Sequence, residues 1–182
     1  MEKFILFAQP WWVNLLIFVP LVAYLIFREN RLAITRVQLL TVALFGIVFG
    51  LVEGSVVVYL RAALGFLTNP VYQQSEMLAH LPKTLLTIEF FREAATLIML
   101  LSVALVAVKL KRERWAMFLW AFAFWDIFYY VWLWVMVRWP SSLTTPDVLF
   151  LIPVPWFSQV WFPLLVSGFS IAVVWKMRKQ ND

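Results

Sequence analysis

Ionisable side chains occur inside three strongly apolar segments of this sequence. The segments are GIVFGLVEGSVVVYL, TIEFFREAATLIMLL and WAFAFWDIFYYVWLW, and their ionisable residues are Glu53, Glu89, Arg92, Glu93 and Asp126. A charge in hydrocarbon costs on the order of 3 kcal/mol, so such groups usually face the interior of a helix bundle and pair with one another there. Four carboxylates on three segments therefore predict one shared polar site.

The spacing of these residues places each set on one face of its helix. On the middle segment, positions i, i+3, i+4 and i+7 are Glu89, Arg92, Glu93 and Thr96. On the third segment Asp126 is followed at i+3 and i+4 by Tyr129 and Tyr130, and Arg61 lies about two turns beyond Glu53. We therefore predict a ligand- or ion-binding cavity formed by Glu53, Arg61, Glu89, Arg92, Glu93, Asp126, Tyr129 and Tyr130.

The excess of carboxylates over arginines indicates the chemistry of this cavity. Carboxylates held close together cannot all be ionised without partners, so the site would attract protons or a hard cation that prefers oxygen ligands. We predict that the protein binds or translocates a small ligand, a cation or a proton, with Glu53, Glu93 and Asp126 as acceptors. Arg92 would hold their geometry and charge.

Other interpretations of the same residues stay open. A metal-dependent membrane enzyme acting on a lipid or isoprenoid would use a divalent cation, with Glu53, Glu93, Asp126 and His80 as candidate ligands. No catalytic residue is assigned, because no helical histidine is available as a base for Ser55 or Thr96. An accessory subunit of a larger membrane complex is a third possibility. Buried ion pairs that only fix helix register are the structural alternative.

The composition defines the class of protein. Of 182 residues 64% are hydrophobic, with a mean hydropathy of +0.86, whereas a soluble domain is about half apolar. The chain has no cysteine, which excludes disulfides and thiolate metal sites. Its single histidine excludes a haem held by two histidines within this chain alone, and no Glu-x-x-His pattern indicates a di-iron bundle. We expect the lipid bilayer as its environment, a membrane-protein partner or a second copy as a possible contact, and no nucleic acid.

Five segments are long enough to span about 30 Å of hydrocarbon. They are residues 10–27, 37–64, 85–108, 115–137 and 156–175. Ten of the fifteen basic residues lie in residues 28–36, 109–114 and 176–179, which alternate with poorly basic connections. This pattern predicts a single-domain, all-α bundle of about five spans in a bacterial inner membrane, with the N-terminus outside and the C-terminus cytoplasmic.

Glycine and proline residues predict how the helices and loops are arranged. Gly46, Gly50 and Gly54 form a stripe that allows close approach of another helix beside Glu53. Pro20 predicts a kink in the first span. Residues 66–84 are expected to form an irregular loop with a short helix. The proline-rich residues 140–155 are too short to span and too apolar for a solvated loop, so we expect them to lie at the membrane interface or fold back over the bundle.

Four phrases together resemble an uncharacterised family of small bacterial polytopic membrane proteins. They are LVEGSVVVYLR, LLTIEFFREAATLIML, WAFAFWDIFYYVWL and PDVLFLIPVPW. The likeness covers most of the chain from the second helix onward and brings no assigned activity. It implies that the family pattern includes Glu53, Arg61, Glu89, Arg92, Glu93, Asp126 and Asp147.

Overall fold

The structure, a computed structural model, describes residues 7–65 and 81–179. In these two ranges the chain forms five α-helices and one short β-hairpin. The helices are α1 (Val19–Arg28, preceded by a 3₁₀ helix over Trp11–Phe18), α2 (Arg36–Ala63), α3 (Lys83–Ala107), α4 (Lys111–Val137) and α5 (Trp161–Met177). The strands β1 (Pro146–Phe150) and β2 (Trp156–Gln159) pair antiparallel. The predicted all-α bundle is confirmed.

Four helices of this bundle are long and apolar enough to cross a membrane. They are the continuous helical segment Trp11–Arg28, which includes the 3₁₀ helix and α1, and helices α2, α3 and α4. Helix α5 is also apolar but has only 17 residues, at the lower end of the range of about 17–25 that spans hydrocarbon. The prediction of about five spans therefore agrees with the observed helices.

Two of the predicted spans differ from the structure in detail. The fifth was expected to begin at residue 156, but Trp156–Gln159 is a strand and the helix begins at Trp161, because the hairpin uses the preceding residues for pairing. The first span is a 3₁₀ helix up to Phe18 and an α-helix only from Val19. Pro20 lies in the first turn of α1, next to this change of helix type, and the kink predicted there stays a prediction.

The basic segments of the chain meet at one end of the bundle. The backbone N–H of Leu32 donates to the carbonyl of Met177 at 2.9 Å, which joins the first loop to the C-terminal end of α5. The N–H of Ala33 donates to the carboxylate of Glu113 in the first turn of α4 at 2.8 Å. The predicted clustering of residues 28–36, 109–114 and 176–179 on one side is therefore observed.

Helices α2 and α4 form the most extensive helix–helix contact, with their backbones in close approach. A Cβ added to Gly46 would lie 2.9 Å from the carbonyl oxygen of Ala121, and one added to Gly50 would lie 2.8 Å from the backbone nitrogen of Tyr129. At Gly54 the nearest atom is the terminal methyl of Met136, at 3.3 Å. The predicted close approach is confirmed at the first two glycines and is looser at the third.

Two tryptophans of α4 extend the same contact along α2. The indole N–H of Trp120 donates to the carbonyl of Leu39 at 2.9 Å, and that of Trp132 donates to the carbonyl of Ile47 at 2.9 Å. A carbonyl that already accepts its helical hydrogen bond can accept a second one, so these bonds satisfy the indoles in an apolar environment. They fix the rotation and height of α4 relative to α2.

The β-hairpin folds back over the bundle, as one of the two expectations for residues 140–155 stated. Val148, Phe150 and Leu151 are buried, and Asp147 lies opposite Ser158 in the strand pair. Gln9, before the first helix, exchanges two backbone hydrogen bonds with Phe157, of 2.8 and 2.7 Å. Strand pairing was not predicted. The expected loop over residues 66–84 falls mostly outside the described residues, and its last part, from Lys83, begins α3.

Replacement of Gly50 by alanine tests the close approach of α2 and α4. The added methyl group meets the α4 backbone, which cannot rotate away, so we expect a loss of about 1–3 kcal/mol in the free energy of unfolding. Gly54→Ala is the matched control, because it meets only the flexible end of Met136 and gains the same helix propensity. Denaturation in detergent would measure both, and equal stability of the two variants would contradict the close approach.

Candidate functional site

A cavity of about 120 Å³ lies where helices α2, α3, α4 and α5 meet the β-hairpin. Seven of the eight binding residues predicted from the sequence line it. Its polar and ionisable lining consists of Glu53, Glu89, Arg92, Glu93, Thr96, Asp126, Tyr129, Tyr130, Asp147 and Ser167. Carboxylates from α2, α3 and α4 therefore line one common cavity.

Arg92 is the centre of the ionic contacts in this cavity. Its guanidinium pairs with Glu53 of α2 and, at 2.8 Å, with Glu89 one turn earlier on α3. The hydroxyl of Thr96 donates to the other carboxylate oxygen of Glu53. Glu53 and Glu89 are both buried, and charge-assisted bonds of this kind are the strong ones. One cation therefore serves two carboxylates and joins α2 to α3.

Glu93 connects α3 to the β-hairpin. Its Oε2 accepts a hydrogen bond of 2.7 Å from the backbone N–H of Leu151, just after β1. Within residues 7–65 and 81–179, Glu93 forms no ion pair and its other oxygen accepts no hydrogen bond. A single amide donor is less than an ionised carboxylate requires away from water.

Asp126 connects α4 to α5 in a similar way. Its Oδ2 accepts a hydrogen bond of 2.8 Å from the hydroxyl of Ser167, and the residue is only 7% exposed. In the described part of the chain it has no cationic partner. The site was expected to involve the second, third and fourth helices, so the contribution of α5 through Ser167 corrects that expectation.

Asp147 brings a fifth carboxylate to the cavity from β1. The phenol of Tyr130 donates to its Oδ2 at 2.7 Å, and the backbone N–H of Val148 donates to its Oδ1 at 2.8 Å. Burial raises the pKa of Asp147 to about 6, while these two hydrogen bonds and the charge of Arg61 act in the opposite direction. The hairpin is therefore attached to α4 by a buried carboxylate whose pKa lies well above its ordinary value.

Arg61 is the one predicted binding residue that does not line the cavity. Its guanidinium lies over the ring of Trp139, 4.6 Å from the centroid, close enough to Asp147 for their charges to interact. A cation over an aromatic face is stabilised by the ring quadrupole. Arg61 thus does not line the cavity, but its charge offsets part of the negative charge of Asp147.

Much of the cavity lining is aromatic. The ring centroid of Trp125 lies 5.3 Å from that of Phe122 and 6.1 Å from that of Phe150, which is 5.5 Å from Trp156. Aliphatic and aromatic residues from the 3₁₀ helix and α5 also line the cavity: Leu16, Phe162, Pro163 and Val166. The cavity is therefore lined by both carboxylates and hydrocarbon groups.

The charges around the cavity do not balance. Five carboxylates line it, whereas Arg92 is the only cationic residue among the described lining residues and Arg61 lies alongside. If all five carboxylates and both arginines were ionised, their net charge would be about −3 in an environment that screens charge poorly. Proton binding or a positively charged ligand would reduce this repulsion.

The candidate metal ligands are not gathered around one point. Among residues 7–65 and 81–179, no three His, Cys, Asp or Glu side chains are placed to share a metal ion. Each carboxylate bonds to a different element: Glu53 to Arg92, Glu93 to the backbone of Leu151, and Asp126 to α5. His80, the fourth candidate, lies outside the described residues.

Sequence reasoning missed three contributors to the site. Ser167 and the N–H of Leu151 have no recognisable signal, because a serine in an apolar helix and a backbone amide occur everywhere. Asp147 did have one, since it is an acid directly before the apolar run VLFLI, and only the family resemblance singled it out. An ionisable residue within an apolar loop is as costly to bury as one within a helix.

No protein-family model, curated protein or solved structure matches this chain. The resemblance to small bacterial membrane proteins therefore stays a prediction, and the functional argument depends on the geometry of the cavity.

Replacement of Arg92 should cost more stability than replacement of either partner. Arg92→Gln leaves two buried carboxylates without a cation, for which we expect a loss on the order of 3 kcal/mol. Glu53→Gln keeps the pair with Glu89 and should cost less. Denaturant unfolding in detergent would measure both variants, with exposed Arg36→Gln as the control. Equal losses in the Arg92 and Glu53 variants would contradict the shared pairing.

Asp147 should make the stability of the protein depend on pH. Its folded-state pKa, about 6, lies above the ordinary value of 3.8, so its contribution is fully present below pH about 4 and is lost as the pH rises through about 6. The difference corresponds to on the order of 3 kcal/mol.

Asp147→Asn removes this titration and retains an acceptor for Tyr130. Relative to the wild type, we expect the variant to become progressively more stable as the pH rises from about 4 through about 6, and the difference to level off above that. Unfolding measured across this range would show it, and a constant difference between the two proteins would contradict the raised pKa.

Proposed function

We propose that this protein is a multi-pass protein of the bacterial inner membrane that binds or translocates a small positively charged ligand, a cation or protons, in the cavity between its helices. The observation that carries this proposal is the charge imbalance of the cavity, where five carboxylates face one arginine among the described lining residues. A positively charged ligand would reduce the electrostatic repulsion among these carboxylates.

Glu93 and Asp126 are the acceptors that this proposal favours. Each has one oxygen held by a single donor, Leu151 N–H or Ser167 Oγ, and neither forms an ion pair with a described residue. Glu53 and Glu89, in contrast, already share Arg92. Buried carboxylates without a cation are destabilising, so ligand binding at Glu93 and Asp126 would recover part of that cost.

The orientation expected from the basic segments implies on which side of the membrane the cavity lies. Residues 28–36, 109–114 and 176–179 lie together at the end opposite the hairpin, and the positive-inside rule assigns that end to the cytoplasm. Under this orientation the cavity and the hairpin lie on the extracytoplasmic side. A ligand would enter from outside the cell or from the outer leaflet.

Binding of protons and small cations tests the proposed function. Purified protein in lipid nanodiscs would be titrated with acid from pH about 8 to about 5 to measure proton uptake. In separate experiments it would be titrated with methylammonium chloride or with potassium chloride to measure cation binding. We expect Glu93→Gln and Asp126→Asn each to take up fewer protons than the wild type, or to bind the cation at least about tenfold more weakly.

Glu113→Gln is the matched control. Glu113 is also buried within an apolar helix, but it lies at the opposite end of the bundle and accepts from Ala33 N–H, which glutamine can do as well. Its replacement should leave cation binding unchanged. The proposal fails if proton uptake and cation binding are the same in all three variants and the wild type.

A further inference from the structure

The lining of the cavity combines carboxylates with aromatic rings, and this combination specifies the ligand more closely than its charge alone. Glu93 and Asp126 line the cavity together with the rings of Phe122, Phe150 and Phe162. A bare ion would satisfy only the carboxylates. A ligand that satisfies both kinds of group needs a positive charge and a hydrocarbon part.

The carboxylates are too dispersed to bind a hard metal ion. Ca²⁺ takes about six to eight oxygen ligands, and Mg²⁺ requires near-octahedral geometry. No three acidic or histidine side chains among the described residues can share an ion. An ammonium group has a lower charge density and is satisfied by two or three acceptors.

The aromatic rings of the lining are suited to the same kind of cation. Trp125 links Tyr129, at a centroid distance of 6.3 Å, to Phe150, at 6.1 Å, so a continuous row of rings runs beside Asp126. Tryptophan and tyrosine faces attract ammonium groups, and the attraction increases where water is excluded. The other rings provide a dry surface for carbon atoms.

The size of the cavity limits the hydrocarbon part. Its volume of about 120 Å³ is slightly below the roughly 150 Å³ of an engineered apolar cavity that binds benzene. The hydrocarbon part is therefore limited to about one small ring or a short alkyl chain. A complete lipid, a quinone or a carotenoid does not fit inside.

We propose that the cavity binds a small organic ammonium ion that carries a ring or a short alkyl group. The ammonium group bonds to Glu93 and Asp126, and the hydrocarbon part packs against the rings of Phe122 and Phe150. This inference rests on the proposed function and adds to it the chemical class of the ligand.

A series of three probes tests the inference. Phenethylammonium has both the charge and the ring, methylammonium has only the charge, and phenethyl alcohol has only the ring. Titration calorimetry with the protein in nanodiscs, corrected with empty nanodiscs, would measure each dissociation constant. We expect phenethylammonium to bind at least about tenfold more tightly than either of the other two.

Two pairs of variants separate the contributions of the carboxylates and the rings. Glu93→Gln should weaken phenethylammonium binding at least about tenfold, whereas Glu113→Gln should not change it. Phe150→Leu should weaken phenethylammonium binding more than methylammonium binding and so reduce the preference for the first. Phe169→Leu, at a residue of α5 that is 57% exposed and does not line the cavity, is the control for loss of a ring.

The outcomes distinguish this inference from the proposed function. If methylammonium or potassium binds as tightly as phenethylammonium and depends on Glu93, the inference is wrong and the proposed function stands. If phenethyl alcohol binds as tightly as phenethylammonium, the cavity recognises the ring alone and the inference is again wrong. If no cation binds and proton uptake does not depend on Glu93 or Asp126, both are wrong.

Discussion

The pairing of Arg92 with Glu53 and Glu89 is the interaction on which the arrangement of the cavity depends. A guanidinium keeps its charge even when it is partly buried, so it can hold two carboxylates in an apolar bundle where each alone would be costly. This contact sets the position of α3 against α2, because Glu53 and Thr96 meet at the same place. It also uses the only cation among the described residues that line the cavity, which leaves Glu93 and Asp126 without a partner of opposite charge. The negative charge available for a ligand is therefore a consequence of how the helices are joined.

The close contact of α2 and α4 makes this arrangement possible. Gly46 and Gly50 let the α4 backbone approach so closely that Asp126, one residue after Trp125, enters the space beside Glu53. In a membrane the lipid tails are as apolar as the helices, so packing at small residues and hydrogen bonds between helices supply much of the association free energy. The indole bonds from Trp120 and Trp132 to carbonyls of α2 are of this second kind. Packing and polar contacts thus occur on the same pair of helices and support each other.

The β-hairpin converts the space between the helices into a cavity. Its polar contacts with the rest of the described chain are few: Leu151 N–H to Glu93, Asp147 to Tyr130, and the backbone pairing of Phe157 with Gln9. Two of the three involve a carboxylate that lines the cavity. A ligand that bonds to Glu93 competes with, or reinforces, the attachment of the hairpin, so ligand binding and the position of the hairpin are physically coupled.

The sequence by itself determined the class of protein, the number of apolar helices and which side chains share a helix face, because hydrophobic length and a period of 3.6 residues are local properties. For that reason Glu89, Arg92 and Glu93 were placed together correctly, and the glycine stripe was correctly assigned to a close contact. Only the tertiary structure decided that Arg92 pairs with both Glu53 and Glu89, that Ser167 of α5 bonds to Asp126, and that Asp147 reaches Tyr130 from a hairpin. These partners are distant in sequence, and which of several donors a buried carboxylate meets depends on the rotation and height of each helix, a property of the packed bundle that no local pattern encodes.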